Sequence, residues 1–354
     1  QLINRKIVEM LISSDSVKKL AEYVENRDEV FCSGLFLSAR WMVVSQLDVL
    51  GIQLIVLPDR DSAEYCAADL YHLIEGDRVY FLPDSGKNLE RSNYKSSLGV
   101  QRTSAIGKIL EYREGEQMIV VTYPSALEEI IPEKGKISGS LLKLVVGEER
   151  SYEEIKEILF SSGFERVDFV SEPGQFAVRG ALIDIFSYSF NNPFRISFFG
   201  DEIESINIFD ANTQLSKEKV DYVDIYPDLS SSEDGEGSMV TDILPEDTLV
   251  WLDSSDMYKD KSFFSELKKF RNIYMELPLS RQDEDAVRFN ISPQPVFSKN
   301  FELLTEDIRN KIENGFRVRI YGEKQSQLER LKSILSQNGG IFPEFISGSN
   351  IHNG

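Results

Sequence analysis

Residues 172–186 read EPGQFAVRGALIDIF, and residues 192–214 read NPFRISFFGDEIESINIFDANTQ. Both segments are rich in β-branched and aromatic residues, and a Gly200-Asp201 turn divides the second one. They predict strands over 175–186, 194–199 and 203–209, joined by tight turns, and the residues just before them predict a further strand over 166–170. Just upstream, Ser151 followed three positions later by Glu154 predicts a helix N-terminus, and Gly163 predicts its end. We therefore expect an α+β module with an antiparallel sheet over residues 139–222.

The sequence on either side of this module has a different rhythm, in which helical and strand patterns alternate. Helices are predicted over 16–25, 34–50, 61–73 and 100–112, with strands over 30–33, 52–57, 79–82 and 118–122. Such βα units imply a parallel sheet covered by helices. The rhythm resumes after the module with a strand over 248–252 and a helix over 263–270. The α+β module is therefore predicted to be an insertion in one α/β domain, with residues 1–138 and 223–288 as the two parts.

Two further segments complete the predicted organisation. The stretch DLSSSEDGEGS at 228–238 is acidic and rich in Gly and Ser, which is typical of a linker. Residues 289–354 contain patterns for a helix over 301–313, a strand over 316–321 and a helix over 324–337. These are too few strands for a closed sheet, so we expect the truncated start of a further small α/β domain.

Composition limits the possible functions. The 354 residues are 41% hydrophobic and 28% charged, as in ordinary globular proteins, and no stretch is long and apolar enough to span a membrane. The net charge of −20 disfavours a nucleic-acid-binding protein, because phosphate would be repelled. Neither the two cysteines, Cys32 and Cys66, nor the two histidines have metal-ligand spacing. We expect a cytoplasmic protein with reduced thiols and no metal.

The stretch GLFLSARW at 34–41 occupies the position of a phosphate-binding loop, between a strand and a helix. Gly34 matches the first glycine of such a loop. Ala39 stands at the second glycine, Arg40 at the phosphate-binding lysine and Trp41 at the hydroxyl that binds magnesium. Because indole cannot ligate magnesium, we expect a degenerate nucleotide site in a P-loop or RecA-like domain, with no cofactor bound.

Three other motifs are candidates for a nucleotide or catalytic site. In LVWLDSSD at 249–256, Asp253 ends an apolar strand like a metal-binding acid, but Ser254 stands where a glutamate would polarise water. PDSGKN at 83–88 lacks both the first glycine and the hydroxyl of a phosphate loop, so a simple turn is expected. RQDEDA at 281–286 is interpreted as a solvated loop. The sequence thus predicts no catalytic residues.

The two quoted segments resemble the module that the excinuclease component UvrB and the transcription-repair coupling factors (Mfd) share. Its pattern is PGEFAVRGGILDIFP, followed by P-x-R-I-x-x-F-x-D-E-I-E-S-I-R-x-F-D-x-x-T-Q. The similarity extends more loosely over 27–227. UvrB keeps a complete phosphate loop, whereas GLFLSAR is similar to the degenerate loop of the coupling factors. The resemblance therefore implies the N-terminal, UvrB-like part of a bacterial coupling factor, although the linker at 228–238 replaces a longer helical stretch.

What the resemblance implies is a docking platform for UvrA, the damage-recognition ATPase of the excinuclease. The family's docking residues map onto Arg179, Arg195 and Phe199. Arginine forks and an exposed aromatic residue are typical of interface hot spots. The alternative is structural: Arg179 could pair with Asp184 or Glu202, Arg195 could be an ordinary strand residue and Phe199 could be core.

The resemblance also implies what lies outside this chain. RNA polymerase and duplex DNA would be reached only through other parts of the parent protein, which would be an ATP-dependent DNA translocase, and no membrane is involved. Two other functions remain open on sequence grounds: an ATP-dependent, damage-verifying helicase-like enzyme of the UvrB type, and a direct nucleic-acid binder. The degenerate loop speaks against the first, and the net charge of −20 against the second.

Overall fold

The computed structural model describes residues 14–347 except for 75, 87–91, 134, 136, 138–140, 191, 233–236, 279–284, 293–294, 323 and 338–342. Parts of PDSGKN, of the 228–238 linker and of RQDEDA therefore lie outside the described residues. Elements up to residue 130 are α1 (Asp15–Asn26), β1 (Glu29–Ser33), α2 (Ala39–Gln46), β2 (Gly51–Val56), α3 (Arg60–Leu73), β3 (Val79–Phe81), α4 (Ser92–Glu111), β4 (Gln117–Thr122) and α5 (Pro124–Glu128).

The next elements form the α+β module, and the chain then returns to the α/β pattern. The module contains β5 (Leu142–Val145), α6 (Tyr152–Ser161), β6 (Glu165–Arg166), β7 (Gln175–Arg179), β8 (Leu182–Phe186), β9 (Phe194–Phe199), β10 (Glu202–Phe209), β11 (Ser216–Val220) and β12 (Tyr222–Ile225). After it come β13 (Leu249–Leu252), α7 (Ser262–Leu267), β14 (Arg271–Tyr274), β15 (Val287–Arg288), α8 (Phe301–Glu313), β16 (Arg319–Gly322), α9 (Gln325–Gln337) and β17 (Glu344–Ser347).

Within the described residues, seven strands form a parallel sheet in the order β15-β1-β14-β13-β2-β4-β3. Strands β13 and β14, which follow the module in sequence, lie between β1 and β2, which precede it. One hydrophobic cluster covers each face of the sheet, and central strands such as β2 and β13 are buried along their whole length. The sheet is thus completed only when the chain returns from the module.

The module has its own sheet, in the order β11-β10-β9-β8-β7-β6, and all its pairs are antiparallel except β6 with β7. Helix α6 packs on one face of the sheet through Ile155 and Leu159. The Ser151 side chain caps this helix by accepting from the Glu154 amide at 3.4 Å, as the sequence predicts. A mixed α/β architecture with a parallel sheet and a separate antiparallel sheet is therefore confirmed.

Several local predictions are wrong. The helix predicted over 34–50 is confined to Ala39–Gln46, because Gly34 and Leu37 have positive φ angles (67° and 55°) that a helix does not allow. The strand predicted over 166–170 pairs only at Glu165–Arg166 before the chain leaves the sheet. The strand predicted over 316–321 begins at Arg319 and pairs in parallel with β17, which no sequence pattern indicates.

Other features bear on function. No helix among the described residues is long and apolar enough to cross a membrane. Cys32 and Cys66 are buried free thiols, and burial raises the pKa of Cys32 to about 12. In the part of the chain that the structure describes, no group of three or more His, Cys, Asp or Glu side chains is placed to hold a metal ion.

Candidate partner-docking face

The candidate site lies on the face of the module sheet opposite to α6. Alternate residues of a strand share one face, and the cross-strand pairs Arg179–Leu182, Leu182–Ser197 and Asp184–Arg195 fix the register. Their neighbours in sequence, such as Ile183 and Ile196, point to the α6 side and are fully buried. The register therefore puts Arg179, Arg195 and Phe199 on the same face.

A buried carboxylate joins the two arginines. Asp184 is only 1% exposed and accepts from Nη2 of Arg179 and from Nε and Nη2 of Arg195, the latter two at 2.7 and 2.9 Å. Hydrogen bonding to Asp184 raises the pKa of Arg195 above its ordinary value. The side chains of Arg179 and Arg195 are 35% and 20% exposed, so both reach the surface while they are bound to the buried Asp184.

Gln214 extends this network on the far side of Arg195. Its backbone oxygen and its Oε1 accept from the Arg195 guanidinium at 3.4 and 3.3 Å, and its Nε2 donates to the carbonyl of Val170 at 3.4 Å. The guanidinium also lies 4.3 Å from the centre of the Phe209 ring. These contacts on several sides hold the orientation of Arg195.

Two exposed aromatic residues belong to the same surface region as the arginines. Phe199, at the end of β9, is 80% exposed, so the alternative that it is a core residue is wrong. Phe169, in the loop after β6, is 61% exposed, and its ring centre lies 4.9 Å from the Arg179 guanidinium carbon. The structural alternative for Arg179, a pair with Asp184, is present together with its surface exposure, so the two interpretations do not exclude each other.

The residues predicted to form a degenerate nucleotide site lie close together, after the parallel strands β1 and β13. Nη1 of Arg40 lies 2.6 Å from Oδ2 of Asp253, which is almost completely buried. Burial raises the pKa of the Asp253 carboxyl, while Arg40 opposes this shift. Trp41 is buried in the core, Ser254 has a left-handed backbone and its hydroxyl donates to Asp253 at 3.3 Å. An ion pair thus connects Arg40 and Asp253, the two residues that the sequence predicts at the lysine and acid positions of a nucleotide site.

Gly34 has a structural reason to be glycine. Its φ is +67°, and a Cβ atom at this position would lie 2.0 Å from the carbonyl oxygen of Phe289. Ala39, at the position of the second glycine, is instead the first residue of α2. Glycine at position 34 therefore allows the chain after β15 to pack closely against this turn.

Comparison with known proteins adds evidence on ancestry. Residues 142–230 match the family described as the UvrB interaction domain. The transcription-repair-coupling factor of Mycobacterium tuberculosis is 28% identical over 222 residues, which cover 61% of this chain and 18% of that protein. The Bacillus subtilis factor is 31% identical over 166 residues, or 47% of this chain and 14% of that protein. The Borreliella burgdorferi factor is 20% identical over 410 aligned residues, covering 95% of this chain and 36% of that protein.

The chain is therefore similar in sequence to the transcription-repair-coupling factors. It spans less than a fifth of the length of the first two of these curated relatives. The match to the UvrB interaction domain begins at Leu142, the first residue of β5, and includes every strand of the module. The candidate face described above therefore lies entirely within the region that matches the UvrB interaction domain.

Sequence reasoning misses three features of this face: the joint role of Asp184, the bridging by Gln214 and the exposure of Phe169. It pairs Asp184 only with Arg179, although the cross-strand neighbour of Asp184 is Arg195. An aspartate inside an apolar strand is a signal of a buried ion pair, because a lone buried carboxylate is too costly. The positions of Gln214 and Phe169 depend on loop geometry that has no periodic signal.

Proposed function

We propose that this chain docks UvrA and thereby recruits nucleotide excision repair to RNA polymerase stalled at DNA damage. The observation that carries the proposal is the grouping of Arg179, Arg195 and Phe199 on one face of the UvrB interaction domain. The names of the related coupling factors support the link between transcription and repair.

The chemistry of the face suits a protein partner with carboxylates. Among the described residues, the Arg179 guanidinium makes one hydrogen bond, to Asp184, which leaves most of its five N–H donors for a partner. Two arginines share one aspartate, so these three side chains together carry one positive charge in a chain with a net charge of −20. Phe199 adds exposed apolar area on the same face, as is typical of interface hot spots.

The parallel-sheet domain is, in this proposal, a P-loop or RecA-like domain that has lost its nucleotide. Support comes from the Arg40–Asp253 ion pair and from the burial of Trp41 where a hydroxyl would face magnesium. The part of the protein in this chain would then be non-catalytic and without cofactor. The alternative, an ATP-dependent damage-verifying enzyme of the UvrB type, requires a lysine and a hydroxyl at positions 40 and 41.

Isothermal titration calorimetry with magnesium and ATP tests the loss of the nucleotide site. We expect no heat of binding at millimolar ATP. A dissociation constant near 1 μM, corresponding to about −8 kcal/mol, would instead support the enzyme alternative.

The remaining activities belong to the parent protein in this proposal. Contacts with RNA polymerase and with duplex DNA, and ATP-driven DNA translocation, would reside in parts that this chain does not contain. A protein that acts on stalled transcription complexes of bacteria would be located in the cytoplasm.

Calorimetric titration of UvrA with the chain and its variants tests the docking role. Arg179→Ala and Arg195→Ala should each weaken binding by about 1 to 4 kcal/mol. Arg166→Ala is the matched control, because Arg166 is an exposed arginine whose partner on β7, Phe176, belongs to the core on the α6 side. Equal affinities for all three variants and the unmodified chain would rule out the proposed face.

A further inference from the structure

Phe169 is an exposed aromatic residue that the proposed docking residues do not include. Its ring stacks near the Arg179 guanidinium, with 4.9 Å between the ring centre and the guanidinium carbon. With 61% of its surface exposed, it covers one side of Arg179 without entering the core.

The loop that carries Phe169 is held on both sides of this residue. The Val167 amide donates to the Phe176 carbonyl at 2.9 Å, and Val170 is buried against Phe209 in a small hydrophobic cluster. Two residues after Phe169, the amide and the hydroxyl of Ser171 donate to the Gln175 side chain, at 3.0 and 3.2 Å. An exposed phenylalanine on an anchored loop is already ordered before a partner binds, which lowers the entropic cost of association.

The loop is also joined to Arg195 through Gln214. Gln214 accepts from Arg195 and donates to the carbonyl of Val170, the residue after Phe169. Contacts therefore run in a closed ring from Phe169 through Arg179, Asp184, Arg195 and Gln214 to Val170. This closed ring couples Phe169 to both arginines, so the three side chains form one surface.

We propose that Phe169 is a further docking residue, which contacts the same partner as Arg179 and Arg195. The inference rests on the proposed function, since the partner is UvrA. The ring shields one face of the Arg179 guanidinium from water, so that a partner carboxylate meets a partly dehydrated cation. The site recognises a carboxylate that lies next to an apolar side chain of the partner.

Calorimetric titration of UvrA with four variants of the 354-residue chain tests this inference. We expect Phe169→Ala to weaken binding about 5- to 30-fold, the loss expected for a secondary hot-spot residue. Phe169→Leu should recover only part of the affinity, because leucine keeps apolar area but not the aromatic face. Phe160→Ala is the matched control: Phe160 is a similarly exposed phenylalanine, but it lies on α6, on the opposite face of the sheet. Arg179→Ala reports on the docking face itself.

The outcomes separate this inference from the proposed function. Weak binding of Phe169→Ala and Arg179→Ala, with affinity unchanged in Phe160→Ala, supports both. Normal binding of Phe169→Ala beside weak binding of Arg179→Ala overturns the role of Phe169 and leaves the docking face in place. Normal binding of both overturns the proposed function as well. Thermal unfolding midpoints verify that each variant folds. If Phe169→Ala has a lowered midpoint and Phe169→Leu binds UvrA as tightly as the unmodified chain, the result counts against an aromatic docking contact.

Discussion

Asp184 contacts both arginines of the proposed docking face and orients them. Its carboxylate is buried and accepts at least three hydrogen bonds from Arg179 and Arg195. Such a group is costly to bury alone and becomes stable only through these partners. The same interactions that satisfy Asp184 also position the arginines, so stability and the geometry of the proposed docking face share one cause.

Replacing Asp184 should therefore affect stability and binding together. We expect Asp184→Ala to lower the free energy of unfolding by about 1 to 3 kcal/mol, less than for a fully buried pair, because both arginines can turn to water. Urea unfolding measures this loss, and Glu218→Ala, an exposed carboxylate on the edge strand β11, is the control. A variant of unchanged stability would show that the network is not stabilising.

The Arg40–Asp253 pair has a consequence for the pH dependence of stability. Burial raises the folded-state pKa of Asp253 above its unfolded value, and Arg40 counteracts this. An acid with a raised folded pKa binds more protons in the folded state, so its contribution to stability falls as pH rises through that window. Removing Arg40 should raise the folded-state pKa of Asp253 further, so that more stability is lost as the pH rises.

Arg40→Ala should accordingly destabilise the chain more at pH 7.5 than at pH 5. Thermal midpoints of Arg40→Ala and of the unmodified chain at both pH values measure the effect, with Arg166→Ala as an exposed control. If the difference between Arg40→Ala and the unmodified chain is the same at both pH values, Asp253 does not titrate as described.

At the scale of elements, the connection from β1 to α2 contains a glycine that the local backbone geometry requires. Gly34 combines a positive φ with a close approach to Phe289. Gly147 has a similar positive φ, at +83°, but a Cβ atom there would meet nothing within 4 Å. Substitutions at the two glycines therefore separate the cost of backbone strain from the cost of a steric collision.

Gly34→Ala should destabilise the chain clearly more than Gly147→Ala. For Gly147→Ala we expect about 1 kcal/mol, the cost of a left-handed alanine, and for Gly34→Ala about 3 kcal/mol or more, because the Phe289 carbonyl must move. Chemical denaturation of both variants gives the comparison. Equal losses of unfolding free energy in the two variants would mean that the chain after β15 moves at little cost to make room for the added Cβ atom.

The sequence predicts the long periodic elements well and the short or polar ones poorly. Helices α3 and α8 carry a clear 3.6-residue period and begin after the capping residues Asp59 and Asn300, so their patterns are sufficient. Strand β11 reads SKEKV and is almost entirely exposed, so it has no apolar face that could predict a strand. Strands β14 and β15 are short, and their place in the sheet depends on long-range pairing.

The candidate site is predictable from the sequence only in part. Family patterns give Arg179, Arg195 and Phe199, and strand alternation predicts that the last two share a face. Asp184, Gln214 and Phe169 form their contacts through cross-strand register and loop geometry, which single-sequence patterns do not contain.

For the whole molecule, the distribution of the cores predicts which fragments fold. The main core of the module consists only of residues between Leu142 and Ile225. The parallel sheet, in contrast, needs β13 and β14 from beyond the module to fill the space between β1 and β2.

A fragment of residues 141–227 should therefore fold alone, whereas a fragment of residues 14–230 should retain only the module. Far-ultraviolet circular dichroism during heating measures cooperativity for the first fragment, and hydrogen exchange locates protected amides in the second. Protection of β2 and β4 in the longer fragment would contradict the account of the sheet.

The proposed contact surface for UvrA is the sheet face opposite to α6, in the region that matches the UvrB interaction domain. The most direct test places the photoreactive residue p-benzoylphenylalanine at Phe199 in one sample and at Phe160 in another, and illuminates each with purified UvrA. We predict a covalent product from position 199 and none from position 160. Crosslinking from position 160 without crosslinking from position 199 would contradict the claim.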